Sequence, residues 1–263
     1  MRNNRFPDRD FLIGLARESG HLMLRLQGFP SETKDDGTPV TIADKAINEL
    51  VIKRIEKRFP HVSVIAEEGS RMSGTEYYVF CDPVDGTESF CRGRNLSVFS
   101  IAVVRDGLPI VAVIHNPFTG QLWSAERGKG TFLNGRRVDV SIRHEFPKSS
   151  FYVMWWKGRE NLKHFSTELD RIGASTLTEG SVVYPAGLVA SGLFEGTIFP
   201  GNKSWEAATM QLIVLEAGGL FTDLYGKNIV FPCDESGNFP GFGHVASNGA
   251  IHGKLLDRVR PYL

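Results

Sequence analysis

The stretch YYVFCDPVDGTESF, residues 77–90, joins an apolar run to an acidic turn. Its first part, 77–81, has the short β-rich composition of a buried strand. Asp82 and Asp85 follow, and the proline between them restricts the backbone of the turn. This spacing lets one rigid turn aim two carboxylates at a single ion while the Val84 carbonyl stays available. We predict a strand whose end presents acids to a site.

A second acidic pair, Glu67-Glu68, follows another β-rich run at 62–66. Because strand ends commonly present a site, we expect the two acidic groups to converge, with the acids lying just outside the strands. Hard cations such as Mg²⁺ take carboxylates, waters and substrate phosphate oxygens as ligands. The sequence therefore predicts a magnesium site built from Asp and Glu.

Gly86 and Thr87 extend the acidic turn toward phosphate chemistry. Glycine lets the backbone approach a phosphate closely, and Thr87 adds a hydroxyl at a predicted helix start, where free N–H groups favour anions. Two divalent ions about 4 Å apart can activate a water and stabilise the leaving oxygen of an in-line phosphoryl displacement. The acids of this turn suit metal binding, and Gly86 and Thr87 suit phosphate binding.

Two predicted helices begin beside further acids. Thr41 precedes apolar residues at helical spacing and resembles an N-cap, which places Asp44 in or near the first turn. A second helix is predicted over 205–217, with Ser204 as its N-cap and Glu206 in its first turn. Each acid alone is explained by the helix dipole, and the acidic turn alone is rich in ordinary turn formers. Their joint occurrence, in order, favours a functional site.

The remaining pattern predicts an α/β (α+β) chain in two parts. An N-terminal helix is predicted over 12–26, and hairpin signals such as Asn134-Gly135 indicate an antiparallel meander. We predict an N-terminal α+β subdomain, 1–147, that carries most metal ligands, and a C-terminal α/β subdomain, 148–263, that completes the site.

Composition narrows the class of protein further. Thirty basic and thirty acidic residues cancel, and neither sign forms a long block, which argues against nucleic-acid and membrane partners. Cys81, Cys91 and Cys233 form no C-x-x-C pair, which favours a reduced, cytoplasmic setting. We find no signal-peptide pattern and no apolar stretch of membrane-spanning length. The expected partner is a small molecule.

Several ordered segments resemble the inositol monophosphatase family of Mg²⁺-dependent, lithium-sensitive phosphatases. They are VTIAD (40–44), AEEGS (66–70), DPVDGTESF (82–90), GKGTFLNG (128–135), WEAA (205–208) and EAGG (216–219). The resemblance implies a layered αβαβα sandwich of the inositol monophosphatase and fructose-1,6-bisphosphatase type, assembled as a homodimer. It also implies a phosphomonoesterase that uses two or three Mg²⁺ ions and metal-activated water on a small phosphorylated metabolite, as inositol-1-monophosphatase does.

The same resemblance assigns three sets of site residues. Those expected to hold metal are Glu67, Asp82, the Val84 carbonyl, Asp85 and Glu206. Those expected to orient and deprotonate the attacking water are Asp44 and Thr87, with Glu68 as a nearby acid. Those expected to contact phosphate or substrate are Asp85, Gly86, Thr87, Gly180 and Ser181.

The chain departs from the family pattern at two positions. The family usually has Asp at the position of Glu206; because Mg²⁺ tolerates little deviation from octahedral geometry, we expect a different or weaker second metal site in which Glu206 still ligates. Inositol-hydrolysing members carry a Glu at the position of Phe199, and Glu195 lies four positions too early. Histidinol phosphate, fructose 1,6-bisphosphate and 3′-phosphoadenosine 5′-phosphate are therefore alternative substrates.

Two other classes of function are weaker hypotheses. The segment 196–204 superficially resembles a P-loop, but Asn202 breaks the required Gly-Lys adjacency. A regulatory or binding member of the family with weakened turnover is the second alternative. The retained acids and Thr87 favour catalysis over that alternative.

Overall fold

The computed structural model of the protein describes residues 5–35, 37–74, 76–156, 158–178, 180–231 and 241–263. The helices of this part of the chain are α1 (Arg9–Leu26), α2 (Ile42–Arg58), α3 (Thr87–Cys91), α4 (Asn161–Arg171), α5 (Tyr184–Ala190), α6 (Ser204–Glu216) and α7 (His252–Val259), followed by a 3₁₀ turn at Arg260–Tyr262. The first nine strands are β1 (Ser31–Thr33), β2 (Pro39–Thr41), β3 (Ser63–Ala66), β4 (Tyr77–Asp85), β5 (Val98–Arg105), β6 (Leu108–Asn116), β7 (Gln121–Glu126), β8 (Gly130–Leu133) and β9 (Arg136–Val138). The last five are β10 (Ser150–Val153), β11 (Ser175–Leu177), β12 (Gly196–Asn202), β13 (Leu220–Asp223) and β14 (Phe242–Ser247).

The strands form two large sheets and one small hairpin. Strands β3 to β9 lie in chain order in a seven-stranded sheet, in which only the β3–β4 pair is parallel. The second sheet has the order β11-β10-β12-β14-β13 and mixes parallel with antiparallel pairs. Strands β1 and β2 form a separate antiparallel hairpin that leads directly into α2.

Alternating side chains of the strands divide the core into layers. In β4, Val79 and Cys81 pack with α1 and α2 on one face, whereas Tyr78 and Phe80 pack with α5 and α6 on the other. The second sheet covers the far side of α5 and α6, and α4 and α7 pack on its outer face. The resulting order of layers is αβαβα, as predicted.

Local sequence accounts for the elements that lead to the site. Helix α1 starts at Asp8, whose carboxylate accepts from the Phe11 N–H at 2.9 Å. Helix α2 starts at Thr41 with the predicted capping box, in which Asp44 accepts from the Thr41 N–H at 2.8 Å. Asn134 and Gly135 both have positive φ and connect β8 to β9 as the predicted hairpin.

Two predictions about element bounds are wrong. The acids were expected outside the strands, but β4 runs through Asp82 to Asp85, because its pairing with β5 resumes at Asp85–Val98 after an irregularity. Ser204 was expected to cap α6, but it is the first helical residue and Lys203 takes the cap position. The P-loop alternative also fails, since residues 196–202 form strand β12.

Several predictions concern features outside the site. The larger sheet uses residues 63–138 and the second uses 150–247, and the division into subdomains at 147 stays a prediction. Cys81 and Cys91 are free thiols, and Cys233 lies outside the described residues. None of the helices described is both long enough and apolar enough to cross a bilayer.

Candidate active site

Asp82 and Asp85 lie at the end of β4, where a bulge turns both acids toward one point. Asp82 pairs with Ser100 and Asp85 with Val98, so β4 holds one residue more than β5 across this interval. Both acids are buried, and one Asp82 oxygen accepts from the Val84 N–H at 3.1 Å. Pro83, which lies between them, has no backbone N–H, so the interruption of strand pairing leaves no unpaired donor at that residue.

Glu206 joins these two acids from the first turn of α6. Oxygen atoms of Asp82, Asp85 and Glu206 all lie within 4.8 Å of one another. The Glu206 carboxylate also accepts from the Lys203 N–H at 2.5 Å, which fixes its direction at the helix start. We call Asp82, Asp85 and Glu206 the acid cluster. The predicted convergence of these three acids is observed.

The acid cluster carries uncompensated negative charge. Burial, followed by the charges of Glu67, Asp85 and Glu206, raises the pKa of Asp82 well above its ordinary value. Burial, with the Asp85 charge next, raises the pKa of Glu206 to about 8. Among the described residues, no ion pair involves a member of the cluster. Converging carboxylates that form no ion pair fit a hard divalent cation, which offsets their repulsion on binding.

Asp85 also anchors the segment before α5. Its carboxylate accepts from the Ser181 hydroxyl and from the N–H groups of Val182 at 3.0 Å and Val183 at 2.8 Å. Burial raises the pKa of Asp85 to about 6, although these hydrogen bonds work in the opposite direction. Gly86 has a φ of 83°, and a Cβ there would come 3.1 Å from the Ser181 Cα. The acidic turn therefore packs directly on the predicted segment at 180–181.

Asp44 and Thr87 form a second polar pair beside the cluster. The Thr87 hydroxyl lies 3.4 Å from an Asp44 oxygen and donates to the Val84 carbonyl at 2.9 Å. Burial raises the pKa of Asp44 to about 6, and the charges of Glu68 and Glu67 add to that rise while the Thr41 hydrogen bonds oppose it. A carboxyl with this pKa can accept a proton near neutral pH.

Glu67 and Glu68 have a partner that the sequence did not predict. The Lys34 ammonium, from the turn between β1 and β2, lies 2.7 Å from a Glu67 oxygen and also pairs with Glu68. Partial burial lowers the pKa of Lys34, but hydrogen bonds and charge from the two glutamates outweigh burial and raise it. The structure thus pairs Glu67 with a lysine, while its charge still acts on Asp82, Asp85 and Glu206. A lone lysine in a polar turn carries no pattern that marks this role.

The two positions that bear on inositol recognition are both in the core. Phe199 is fully buried and stacks on His244 and Tyr152, with ring centroids 5.0 and 6.0 Å away. Glu195 accepts from the Ser150 N–H at 2.6 Å and is buried, so it is not available to a substrate. No carboxylate replaces the family glutamate at this position.

A cavity of about 760 Å³ adjoins the cluster on the side of Glu206. Its wall includes Trp156, Arg159, Asn202 and Lys203, none of which the sequence singled out as site residues. They come from the end of β12 and from the segment after β10, more than 40 positions apart in the chain. Only the folded sheet brings them to one place.

Comparisons with known proteins identify the family and the fold of this chain. The sequence profile of the inositol monophosphatase family matches residues 7–262. The chain is 33% identical to a Chlorobaculum parvum protein named histidinol-phosphatase, with 96% of both chains covered. It is 31% identical to a Neisseria meningitidis protein named putative Nus factor SuhB, over 94% of this chain and 96% of the relative. The solved structure of a Thermotoga maritima IMPase has a TM-score of 0.87, with 28% identity and 96% of each chain covered.

The family match over nearly the whole chain and the names of its relatives define a phosphomonoesterase of a class that generally depends on metal ions, and the acid cluster could bind one. This chain belongs to the inositol monophosphatase family.

Proposed function

We propose that this protein is a Mg²⁺-dependent phosphomonoesterase that hydrolyses a small phosphorylated metabolite by direct attack of water. One observation carries the proposal: Thr87 contacts Asp44 and also donates to the carbonyl of Val84, which lies between Asp82 and Asp85 in the chain, so candidate metal ligands and a proton acceptor are adjacent. The retention of both groups also favours catalysis over a binding-only member of the family.

The residues that would hold metal follow from the donor set. Asp82, Asp85 and Glu206 would form the main site, and we retain Glu67 and the Val84 carbonyl as further ligands for two or three ions. When bound, divalent cations supply Lewis acidity toward the phosphate and activate water. Lys34 holds Glu67 in place within reach of this site. The longer Glu206 keeps its direction through the Lys203 N–H.

The chain's own residues supply orientation and proton transfer. When the Thr87 hydroxyl turns from the Val84 carbonyl to donate to Asp44, its oxygen can accept a hydrogen bond from the attacking water. The water proton would pass to the Thr87 oxygen and the Thr87 proton to Asp44 as the water oxygen attacks phosphorus. The bond from phosphorus to the alcohol oxygen breaks, and the departing alkoxide takes a proton from solvent. Glu68 lies near enough to influence Asp44 through its charge. Gly86, Thr87, Gly180 and Ser181 would position the phosphate.

The organic part of the substrate is less closely defined by this site. A buried Phe199 offers no group to pair with inositol hydroxyls, and a site without such a group discriminates weakly for them. Inositol 1-phosphate therefore remains one candidate beside histidinol phosphate, fructose 1,6-bisphosphate and 3′-phosphoadenosine 5′-phosphate.

The test is phosphate release from this panel, with Mg²⁺ and with a chelator, by the wild type and by Asp85→Asn. The matched control is Glu88→Gln, which removes an acid of the same motif. Its side chain is exposed and pairs with Arg92. We expect Mg²⁺-dependent release by the wild type and the control, and its loss in Asp85→Asn. Release that persists in chelator, or release from no substrate, contradicts the proposal.

Three finer properties belong to the same proposal. We expect inhibition by Li⁺, a homodimer and a cytoplasmic location, which follow the family resemblance and the cysteine content. An Li⁺ titration of phosphate release, light scattering on the purified protein and cell fractionation test them separately.

A further inference from the structure

The cavity beside Glu206 is placed to receive the alcohol part of a phosphomonoester. Glu206 belongs both to the acid cluster and to the cavity wall, so a phosphate held at the cluster directs its organic group into this space. The volume of about 760 Å³ lies within the range of small-molecule sites. The chemistry of this wall therefore bears on the substrate's organic part.

The cavity wall is cationic. Arg159 and Lys203 both line it, and neither forms an ion pair with another described residue. The Lys203 ammonium lies over the Trp205 ring, 5.9 Å from its centroid. Glu206 is the one acid among the described residues of the wall, and a bound metal would neutralise it. Among the described residues of the wall, an incoming organic group thus meets two cationic side chains, Arg159 and Lys203, and one acidic side chain, Glu206.

Asn202 adds a further donor to the cavity wall. Asn202 is buried, its side-chain oxygen contacts a ring nitrogen of His244 at 3.2 Å, and its Nδ2 has no hydrogen-bond partner among the described residues. Trp156 lies over Gly201, whose added Cβ would be 3.5 Å from the indole ring, so an aromatic face closes one side. Donors and an aromatic face suit a ring that carries acceptor groups.

We propose that the preferred substrate is a phosphomonoester whose ring-containing alcohol part carries a second anionic group, bound by Arg159 and Lys203. This inference rests on the proposed phosphatase function and specifies its substrate class. Charge-assisted hydrogen bonds from guanidinium and ammonium groups to an anion are stronger than neutral ones. The same two cations repel an alcohol part that carries an ammonium group, such as histidinol. Sugar bisphosphates and nucleoside bisphosphates share the required chemistry.

The experiment measures kcat/KM for matched pairs of substrates. Fructose 1,6-bisphosphate is compared with fructose 6-phosphate, and adenosine 3′,5′-bisphosphate with adenosine 3′-phosphate. The first pair tests a sugar as the alcohol part of the substrate, and the second pair tests a nucleoside. Histidinol phosphate provides the cationic case, and 4-nitrophenyl phosphate provides a leaving group without a second anion. The variants are Arg159→Gln and Lys203→Gln, with Lys53→Gln as the control for loss of an exposed lysine, since Lys53 lies on α2 and pairs with Glu49 rather than lining the cavity.

We expect a bisphosphate to exceed its monophosphate partner and histidinol phosphate by about tenfold or more in kcat/KM. Each cavity variant should lower that advantage, mainly through KM. Arg159→Gln should leave activity on 4-nitrophenyl phosphate unchanged, and the control should leave all activities unchanged; Lys203→Gln is not expected to spare 4-nitrophenyl phosphate, because Lys203 lies next to the metal ligand Glu206. Equal kcat/KM across charges, a preference for histidinol phosphate, or equal losses in Arg159→Gln on both kinds of substrate would overturn the proposal. Absence of metal-dependent release even from 4-nitrophenyl phosphate would instead overturn the phosphatase function on which it rests.

Discussion

Two groups of acids lie side by side in this protein, and they are handled in opposite ways. Glu67 and Glu68 share the Lys34 ammonium, so their charge is partly offset within the chain. Asp82, Asp85 and Glu206 are held within 4.8 Å of one another, without a described cationic partner. Holding unpaired charges together costs stability, which the fold tolerates only where another ion can offset it. The comparison teaches that the candidate metal site is marked by carboxylates that form no ion pair in the described part of the chain, and not simply by the number of acidic residues.

The largest expected effect comes from removing the most buried charge of the acid cluster. Asp82→Asn keeps an oxygen for the Val84 N–H but removes the repulsion with its neighbours. We expect phosphate release to fall by at least about a hundredfold, as for loss of a metal ligand. We also expect the metal-free protein at pH 8 to melt a few degrees higher. Calorimetry and a phosphate assay measure the two effects, and a lower melting temperature would show that the charge is compensated.

The second prediction concerns pH. The pKa values of Asp85, about 6, and Glu206, about 8, lie above their ordinary values of 3.8 and 4.5. The folded protein therefore holds protons that the unfolded chain releases, and this contribution to stability is lost as pH rises through about 6 and 8. Metal binding replaces those protons. Mg²⁺ should raise the melting temperature more at pH 8 than at pH 5, and an equal rise at both would refute the linkage.

The third prediction concerns the removal of the cation that pairs with Glu67 and Glu68. Lys34→Met leaves Glu67 and Glu68 without their cation, so the metal-free protein should lose about 1 kcal/mol of unfolding free energy. The stabilisation by Mg²⁺ should then increase, because more negative charge awaits the ion. Lys34→Arg keeps the charge and serves as the control. An unchanged response of Lys34→Met to Mg²⁺ would mean that the two acid groups are electrostatically independent.

The smallest effect is expected when the length of one acid changes. Glu206→Asp keeps the charge at the first turn of α6, where the Lys203 N–H can still orient it. We expect the Mg²⁺ concentration for half-maximal activity to change by less than about tenfold, with Glu206→Gln as the variant that loses the charge. A loss in Glu206→Asp as large as in Glu206→Gln would show that reach, not charge, decides ligation.

Local patterns predicted much of the fold and the outline of the site. The capping box at Thr41 and Asp44, the first-turn position of Glu206 and the hairpin at Asn134 all depend on neighbours close in sequence. The contacts of Lys34 with Glu67 and of Ser181 with Asp85 could not be predicted from local patterns. Both form only when segments that are distant in the chain pack together. The length of β4 was missed for the same reason, because pairing with β5 decides where the strand ends.

The most direct test of the central claim is anomalous scattering from crystals of the protein soaked in Mn²⁺ as a substitute for Mg²⁺. The account predicts a peak bounded by carboxylate oxygens of Asp82, Asp85 and Glu206, at about 2.0–2.2 Å from each ligand. A fully occupied site from which Glu206 points away would remove that residue from the ligand set. No peak at the acid cluster, with metal only at Glu67 and Glu68, would contradict the account.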